Sequence, residues 1–517
     1  MLGAMRTNLG LFLQKRAQLS PRMEALVEVE RGRRFNYAEL DARANQLGHA
    51  LAAQGVRPGD RVAVLLMNGV EYIESYFALA KLGAVMVPLN WRLVADELAF
   101  IVKDAGAVAL VYDADFDAAV AALRGADTPL RVYVRASGGA APADGALDYD
   151  ALRDAATPAP HACEAGPDDL LFIMYTSGTT GLPKGAMHTH GTMAAASMTI
   201  NLTSDQRYGD RYLQVLPLFH VGALTPLTAG IHRGVTLVMM RSFDPARIFP
   251  LIEAERITSG LAVPAMLNFM LAAGKPDASD LSSLRWLMSG AAPVPPALIE
   301  RYAALGIEVH QVYGLTETCG PACLISPEAA LAKVGSTGPA FFHTDVRVVD
   351  EAGCDVEAGA IGEVLVRGAH IMTGYWNRPD ATAETIRDGW LHTGDLATVD
   401  KDGFVFIQDR KKDMIITGGE NVYPAEVEAV LARHPDVLEC AVIGLPSARW
   451  GESAAAVVVA KAGASLDAAQ VLAFCQGKLA RYKQPRVVEF VDQIPRNPTG
   501  KVLKRALRER FPGPAPE

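Results

Sequence analysis

Residues 175–185 read YTSGTTGLPKG, with Ser177, Thr179 and Thr180 set among Gly178 and Gly181 and the run closing on Lys184. Glycine loses the most backbone entropy on ordering, and the hydroxyls compete for backbone hydrogen bonds, so this run is expected as a loop. A loop that bares N–H groups beside hydroxyls and an ammonium suits phosphate oxygens. The loop of P-loop NTPases needs Gly-Lys-Ser/Thr at its end, whereas Lys184 here follows Pro183 and precedes Gly185, so that motif is excluded. On composition alone a plain turn is the alternative.

The elements around this loop must position it. Short β-branched runs alternate with helical ones from RVAVLL through EYIESYFALAKLGAVMVPLN and again in ADELAFIVKDAGAVALVY, and the pattern returns at GVTLVMM, DPARIFPLIEAERI, SGLAVP and LRWLMSG. Such βαβ alternation predicts parallel sheet covered by helices, both regions belonging to one large body. The Ala-, Gly- and Pro-rich stretch 135–169 between them is expected as a surface connection. After about residue 340, short strands and turns (TDVRVVDEAG, IGEVLVRG, GFVFIQDR) predict a β-rich lobe. A boundary near Lys412 then separates residues 1–411 from a small α+β domain, 412–517. The expected class is α/β: a large N-terminal domain of parallel and mixed sheets with covering helices, a β-rich lobe, and a small mobile C-terminal domain.

The bulk numbers agree with a multidomain enzyme. The chain has 517 residues, half of them hydrophobic and 21% charged, with a formal charge of −9, too many residues for one core and too apolar for disorder. That acidic balance argues against DNA or RNA, whose phosphates require a basic footprint. The N-terminal segment lacks a secretory cleavage pattern, so a cytoplasmic location is expected. Six cysteines, at 163, 319, 323, 354, 440 and 475, form no CxxC pair, which suggests neither a zinc site nor a disulfide framework. Tyr212–His232 carries no formal charge over a bilayer-spanning length, but its prolines, glycines and histidines predict a buried strand, turn and helix. No transmembrane helix is expected; peripheral membrane contact stays open.

The quoted loop resembles the signature of the adenylate-forming enzymes: acyl- and aryl-CoA synthetases, luciferases and peptide-synthetase adenylation domains. Six further blocks follow in that family's order: PLFHVGAL at 217–224, MSGAAP at 288–293, QVYGLTET at 311–318, GWLHTGD at 389–395, DRKKDMIITGGENVYPAEVE at 409–428 and PRNPTGK at 495–501. Seven blocks in register across nearly the whole chain are a specific match, nearest to bacterial fatty-acyl-CoA synthetases.

The resemblance implies a role for each block. Thr176, Ser177, Gly178, Thr179, Thr180, Gly181 and Lys184 would serve the ATP phosphates. Glu317 would hold Mg²⁺ with Thr176 as a second contact, and Thr316 would lie near the α-phosphate. Asp395 would accept the ribose hydroxyls with Arg410 in support, and Tyr313, Gly314, Gly290, Ala291 and Ala292 would form the adenine slot. Lys501 would bridge the attacking carboxylate and the α-phosphate, a charge felt more strongly in the transition state than in the ground state. Rotation about a hinge at Lys412 would then replace Lys501 by Gly418 and Gly419, whose missing side chains admit the pantetheine thiol of CoA. Trp450, Arg92, Lys483 and Arg486 match CoA and nucleotide contacts, though each cation reads equally well as a solvated charge. His220, Gly222 and Ala223 would border the acyl pocket, whose small residues leave room for a long or bulky acid.

The expected function is thus an AMP-forming carboxylate–CoA ligase using ATP, CoA and Mg²⁺ on a medium- to long-chain fatty acid, with an aryl acid such as a cinnamate, ferulate or benzoate as the alternative. An ADP-forming phosphotransferase would not need the C-terminal lysine, and a non-catalytic nucleotide binder predicts broken motifs. No fused carrier domain is expected beyond Lys501, and a homodimer is left open.

Overall fold

The computed structural model describes residues 7–137, 145–176, 183–274, 276–291, 294–326, 328–411, 413–417, 420–447, 449–496 and 502–513. Four sheets are built from the alternation seen in the sequence. The first has eight strands in the order Cys323–Leu324, Glu308–Tyr313, Trp286–Ser289, Ser259–Leu261, Arg211–Gln214, Thr236–Met239, Glu24–Glu28 and Arg33–Asn36. Its interior pairs are parallel, and both end pairs are antiparallel. The second, also of eight strands, runs Gly374–Tyr375, Lys184–Thr189, Leu170–Thr176, Val85–Pro88, Arg61–Leu65, Ala109–Asp113, Val132–Ala136 and Leu147–Asp148. It is parallel except where Lys184–Thr189 turns back on Leu170–Thr176 and pairs with Gly374–Tyr375.

Helices fill the space between these two sheets. Leu26 and Leu237 from the first, Val62 and Phe172 from the second, and Tyr76, Met193 and Leu224 from helices Val70–Leu82, His190–Thr203 and Val221–Arg233 belong to one apolar cluster. Gly83 ends helix Val70–Leu82 at φ 77°, a left-handed position that suits glycine at a C-terminus. The uncharged run 212–232 is a strand, a turn and a buried helix, as its prolines and histidines imply.

The β-rich lobe is a five-stranded antiparallel sheet of Asp345–Val349, Ile361–Arg367, Trp390–Val399, Ile386–Arg387 and Val405–Arg410. A fourth sheet joins Glu420–Val422, Ile415–Thr417, Gly451–Ala460, Val437–Ser447 and Val487–Phe490, flanked by helices Pro424–Leu431 and Ala468–Cys475. Among the described residues, every apolar cluster draws its members from one side of Lys412 only.

The stretch 135–169 differs from the expected surface connection. It supplies the edge strand Leu147–Asp148 and helix Tyr149–Asp154, with Tyr149 fully buried and donating to Glu74 Oε2 at 2.7 Å. Asp148 caps this helix through Ala151 N–H at 2.8 Å. The helix is too short for its periodicity to stand out from the flanking Ala, Gly and Pro.

Candidate active site

Three chain segments distant in sequence meet at the edge of the first sheet. Strand Glu308–Tyr313 ends on Tyr313, and the adjoining lobe places Asp395 directly opposite Arg410 on paired antiparallel strands. The Tyr313 hydroxyl donates to Asp395 Oδ2 at 2.7 Å, and Arg410 Nε pairs with Asp395 Oδ1. Asp395 is only 4% exposed. Burial first, and then the adjacent Asp395 carboxylate, push the Tyr313 phenol well above its ordinary value. For Arg410, burial works to lower the guanidinium, but the carboxylate of Asp395 prevails and holds it above its usual range. A carboxylate has about four acceptor sites, so Asp395 keeps acceptors for a diol beyond the two donors already engaged.

Immediately after Tyr313 the chain makes a tight turn. A Cβ on Gly314 would stand 1.5 Å from Gly320 O, so no side chain fits there. Leu315 N–H donates to Thr318 Oγ1 at 2.9 Å, Gly320 N–H to Leu315 O at 3.1 Å, and Ala322 N–H to Tyr313 O at 3.0 Å. Glu317, on this turn, accepts the Tyr375 hydroxyl at Oε1, 2.7 Å away. Two buried histidines lie behind it: His188 Nε2 faces Thr316 O and His370 Nδ1 faces Thr318 O, both at 2.8 Å. Burial lowers His188 to about 4 and lowers His370 as well, so both are neutral at physiological pH.

Lys184 begins the strand that returns from the quoted loop. Thr176 pairs with it in register and donates from its hydroxyl to Lys184 O at 3.4 Å. The Lys184 ammonium lies 5.3 Å from the Tyr375 ring centroid, within cation–π range. Tyr375 thus reaches both Lys184 and Glu317. The sequence reading missed Tyr375, His188 and His370; the available signals were an aromatic beside Gly374 and a histidine at an inward position of the short strand Lys184–Thr189, whereas His370 lies in a turn after strand Ile361–Arg367.

The remaining sequence candidates fall in several places. Gly290 follows strand Trp286–Ser289, where a Cβ would meet Val312 O at 2.3 Å, and Ala291 has φ 67°, a backbone region costly for alanine. His220 precedes helix Val221–Arg233 with its ring 4.2 Å from Phe219. A Cβ on Gly222 would meet nothing within 4 Å, whereas Ala223 is 1% exposed and belongs to the core. The Arg486 guanidinium stands over Trp450 at 5.3 Å, Lys483 pairs with Glu426 at 2.8 Å, and Arg92 covers Trp91 at 4.3 Å. Ser177, Gly178, Thr179, Thr180, Gly181, Ala292, Lys412, Gly418, Gly419 and Lys501 lie outside the described residues.

The donor set fits Mg²⁺ held mainly by substrate. Among the described residues no group of three or more His, Cys, Asp or Glu could cage a metal, and Glu317 has one oxygen engaged by Tyr375 and a second left over. Mg²⁺ commonly takes one or two carboxylates and fills its remaining positions with phosphate oxygens and water.

Known proteins share this architecture. The family described as AMP-binding enzyme matches residues 13–376, and the AMP-binding enzyme C-terminal domain matches residues 426–501. The chain is 46% identical over 510 residues to the long-chain-fatty-acid–CoA ligase FadD13 of Mycobacterium tuberculosis, covering 99% of this chain and 100% of that protein. It is 44% identical to a feruloyl-CoA synthase of Amycolatopsis sp, covering 97% and 99%. A solved Mycobacterium tuberculosis fatty acyl CoA synthetase superposes with a TM-score of 0.79 at 45% identity, covering 98% of each chain. With the motif blocks in order along a chain matched from end to end, this protein belongs to the AMP-binding enzyme family, the adenylate-forming ligases.

Proposed function

We propose that this chain, an AMP-forming acid–thiol ligase, activates a medium- to long-chain fatty acid. The acid carboxylate attacks the α-phosphorus of ATP, giving acyl-AMP and pyrophosphate; the CoA thiol then attacks the acyl carbon, giving acyl-CoA and releasing AMP. The observation that carries the adenylation reading is the Tyr313–Asp395–Arg410 cluster around a buried Asp395, with Tyr313 four residues before Glu317 and leading into a turn closed by its own backbone bonds. Asp395 accepts the ribose hydroxyls, Arg410 fixes Asp395, and Tyr313 and the Gly290–Ala291 backbone border the adenine. Thr176 and Lys184 hold the phosphates with the loop between them, Thr316 lies by the α-phosphate, and Glu317 holds Mg²⁺. When bound, Mg²⁺ neutralises charge on the departing pyrophosphate.

Lys501 bridges the attacking carboxylate and the α-phosphate. The chain divides near Lys412 into an adenylation domain, 1–411, and a mobile domain, 412–517; the separation of apolar clusters on either side of Lys412 supports this division. Rotation brings Gly418 and Gly419 to the acyl-adenylate, with Trp450, Arg486, Lys483 and Arg92 toward CoA. His220 and Ala223 wall the acyl pocket, and the open space before Gly222 supports a long substituent. A cytoplasmic location belongs to this proposal. Among the described residues no helix is long and apolar enough to cross a membrane.

An aryl acid is the second reading, favoured by the 44% identity to a feruloyl-CoA synthase and by the edge-on contact of Trp91 with Phe219, beside His220. The test is AMP and pyrophosphate release with Mg-ATP and CoA against acetate, octanoate, palmitate, benzoate, cinnamate and ferulate. A smooth optimum along the alkyl series supports the fatty-acid reading. A maximum on an aromatic acid replaces it, and ADP in place of AMP overturns the chemistry.

A further inference from the structure

Four contacts converge on the turn Thr316–Glu317–Thr318, none of them from the motif block that contains it. The Tyr375 hydroxyl holds Oε1 at 2.7 Å. The three successive carbonyls of Thr316, Glu317 and Thr318 accept from His188 Nε2, Met372 N–H and His370 Nδ1, at 2.8, 2.9 and 2.8 Å. A carbonyl only accepts, so each ring nitrogen facing one carries the proton, which fixes both tautomers. His370 Nε2 is then free to accept from Thr344 Oγ1 at 2.8 Å, and both rings are fully buried.

Tyr375 is equally tied to Lys184. Its strand pairs with that of Lys184 through Tyr375 and Ala186, Trp376 N–H donates to Gly185 O at 2.8 Å, and the Lys184 ammonium stands 5.3 Å from the Tyr375 ring centroid. A single rigid aromatic thereby spans the carboxylate and the ammonium that face the triphosphate. A carboxylate with one oxygen on a fixed donor presents its other oxygen in one direction, as outer partners orient metal ligands generally.

We propose that Tyr375 is a positioning residue for adenylation, setting Glu317 and Lys184 at one spacing, with His188 and His370 locking the turn that carries Glu317. The inference rests on the reading of this site as an adenylating one with Glu317 toward Mg²⁺. Positioning partners of this kind are worth about 10- to 100-fold in metal affinity or activity, with no contribution to a step that does not use the triphosphate.

The experiment compares the full chain with Tyr375→Phe, His370→Leu and His370→Gln. Calorimetry measures the Mg²⁺ concentration that half-saturates binding of α,β-methylene-ATP, and two assays measure acid-dependent pyrophosphate release and thioester formation from supplied acyl-adenylate. Tyr375→Phe and His370→Leu are expected to raise the half-saturating Mg²⁺ and slow pyrophosphate release, each by about 10-fold or more. Thioester formation should change by less than about twofold. His370→Gln, which keeps a donor for Thr318 O, should recover most of the Mg²⁺ dependence. An unchanged Mg²⁺ dependence in Tyr375→Phe, or equal loss of both half-reactions, overturns the proposal. If Tyr375→Phe does not fold, the His370→Leu and His370→Gln pair decides it by the same readout. Failure of the unmodified protein to form AMP with any acid would count against the functional reading instead, because analogue binding is measured without turnover.

Discussion

Acidification should loosen the docking of the N-terminal helix, and His190 supplies the size of the effect. His190 begins helix His190–Thr203, is fully buried, and accepts Leu9 N–H at Nδ1 over 3.0 Å, just before helix Gly10–Leu19. Its proton therefore sits on Nε2, and a second proton could enter only at Nδ1, breaking the bond to Leu9. Burial lowers the imidazole to about 4, with the Asp169 carboxylate opposing. A folded value below the unfolded 6.5 means that this stabilisation is complete above about pH 6.5 and falls as pH drops toward 4. Integrating the difference in bound protons gives a loss of about 2 kcal/mol between pH 8 and pH 5, and about 3 kcal/mol by pH 4.

The assay is amide hydrogen exchange at Leu9 and along Gly10–Leu19, with opening free energies referred to the intrinsic exchange rate at each pH. His190→Leu removes both the titration and the acceptor. At pH 8, where His190 is neutral folded and unfolded, it should cost about 1–3 kcal/mol, because Leu9 N–H is left buried and unpaired. It should also lose about 2 kcal/mol less than the parent between pH 8 and pH 5. The same pH-dependent loss in parent and variant, within about 0.5 kcal/mol, would refute the assignment of that loss to His190.

Other perturbations test the site. Asp395→Asn keeps the size of the side chain but removes the charge that binds Arg410 and the Tyr313 hydroxyl; the KM for ATP should rise about 10- to 100-fold, the worth of a hydrogen bond to a charged group. Gly314→Ala would place a Cβ 1.5 Å from Gly320 O, and the thermal midpoint should fall by the equivalent of about 1–3 kcal/mol or more, because rigid backbone must move. Lys501→Ala should lower acid-dependent pyrophosphate release by about 100-fold or more while still converting supplied acyl-adenylate to thioester; equal loss of both steps would remove its assigned role. Gly419→Leu should do the reverse, and intact CoA turnover in that variant would remove the tunnel argument.

What the sequence determined by itself was whatever local physics encodes. Alternating β-branched and helical periods set out the two large α/β sheets, the short strands after residue 340 set out the lobe, and the resemblance of the motif blocks to the adenylate-forming enzymes singled out Tyr313, Glu317, Asp395 and Arg410. Periodicity, capping and turn chemistry act over a few residues, so they survive in a linear reading. The partnerships were decided only by tertiary structure. Asp395 receives its hydroxyl from a tyrosine 82 residues away, and Glu317 receives one from 58 residues away. Gly314 looks like one more small residue beside a pocket until the fold brings Gly320 O against it, and Tyr149 hides a buried anchor in a stretch that reads as surface linker. Such contacts depend on which strands pair and in what register, a property of crossovers between distant segments rather than of the residues within any one of them.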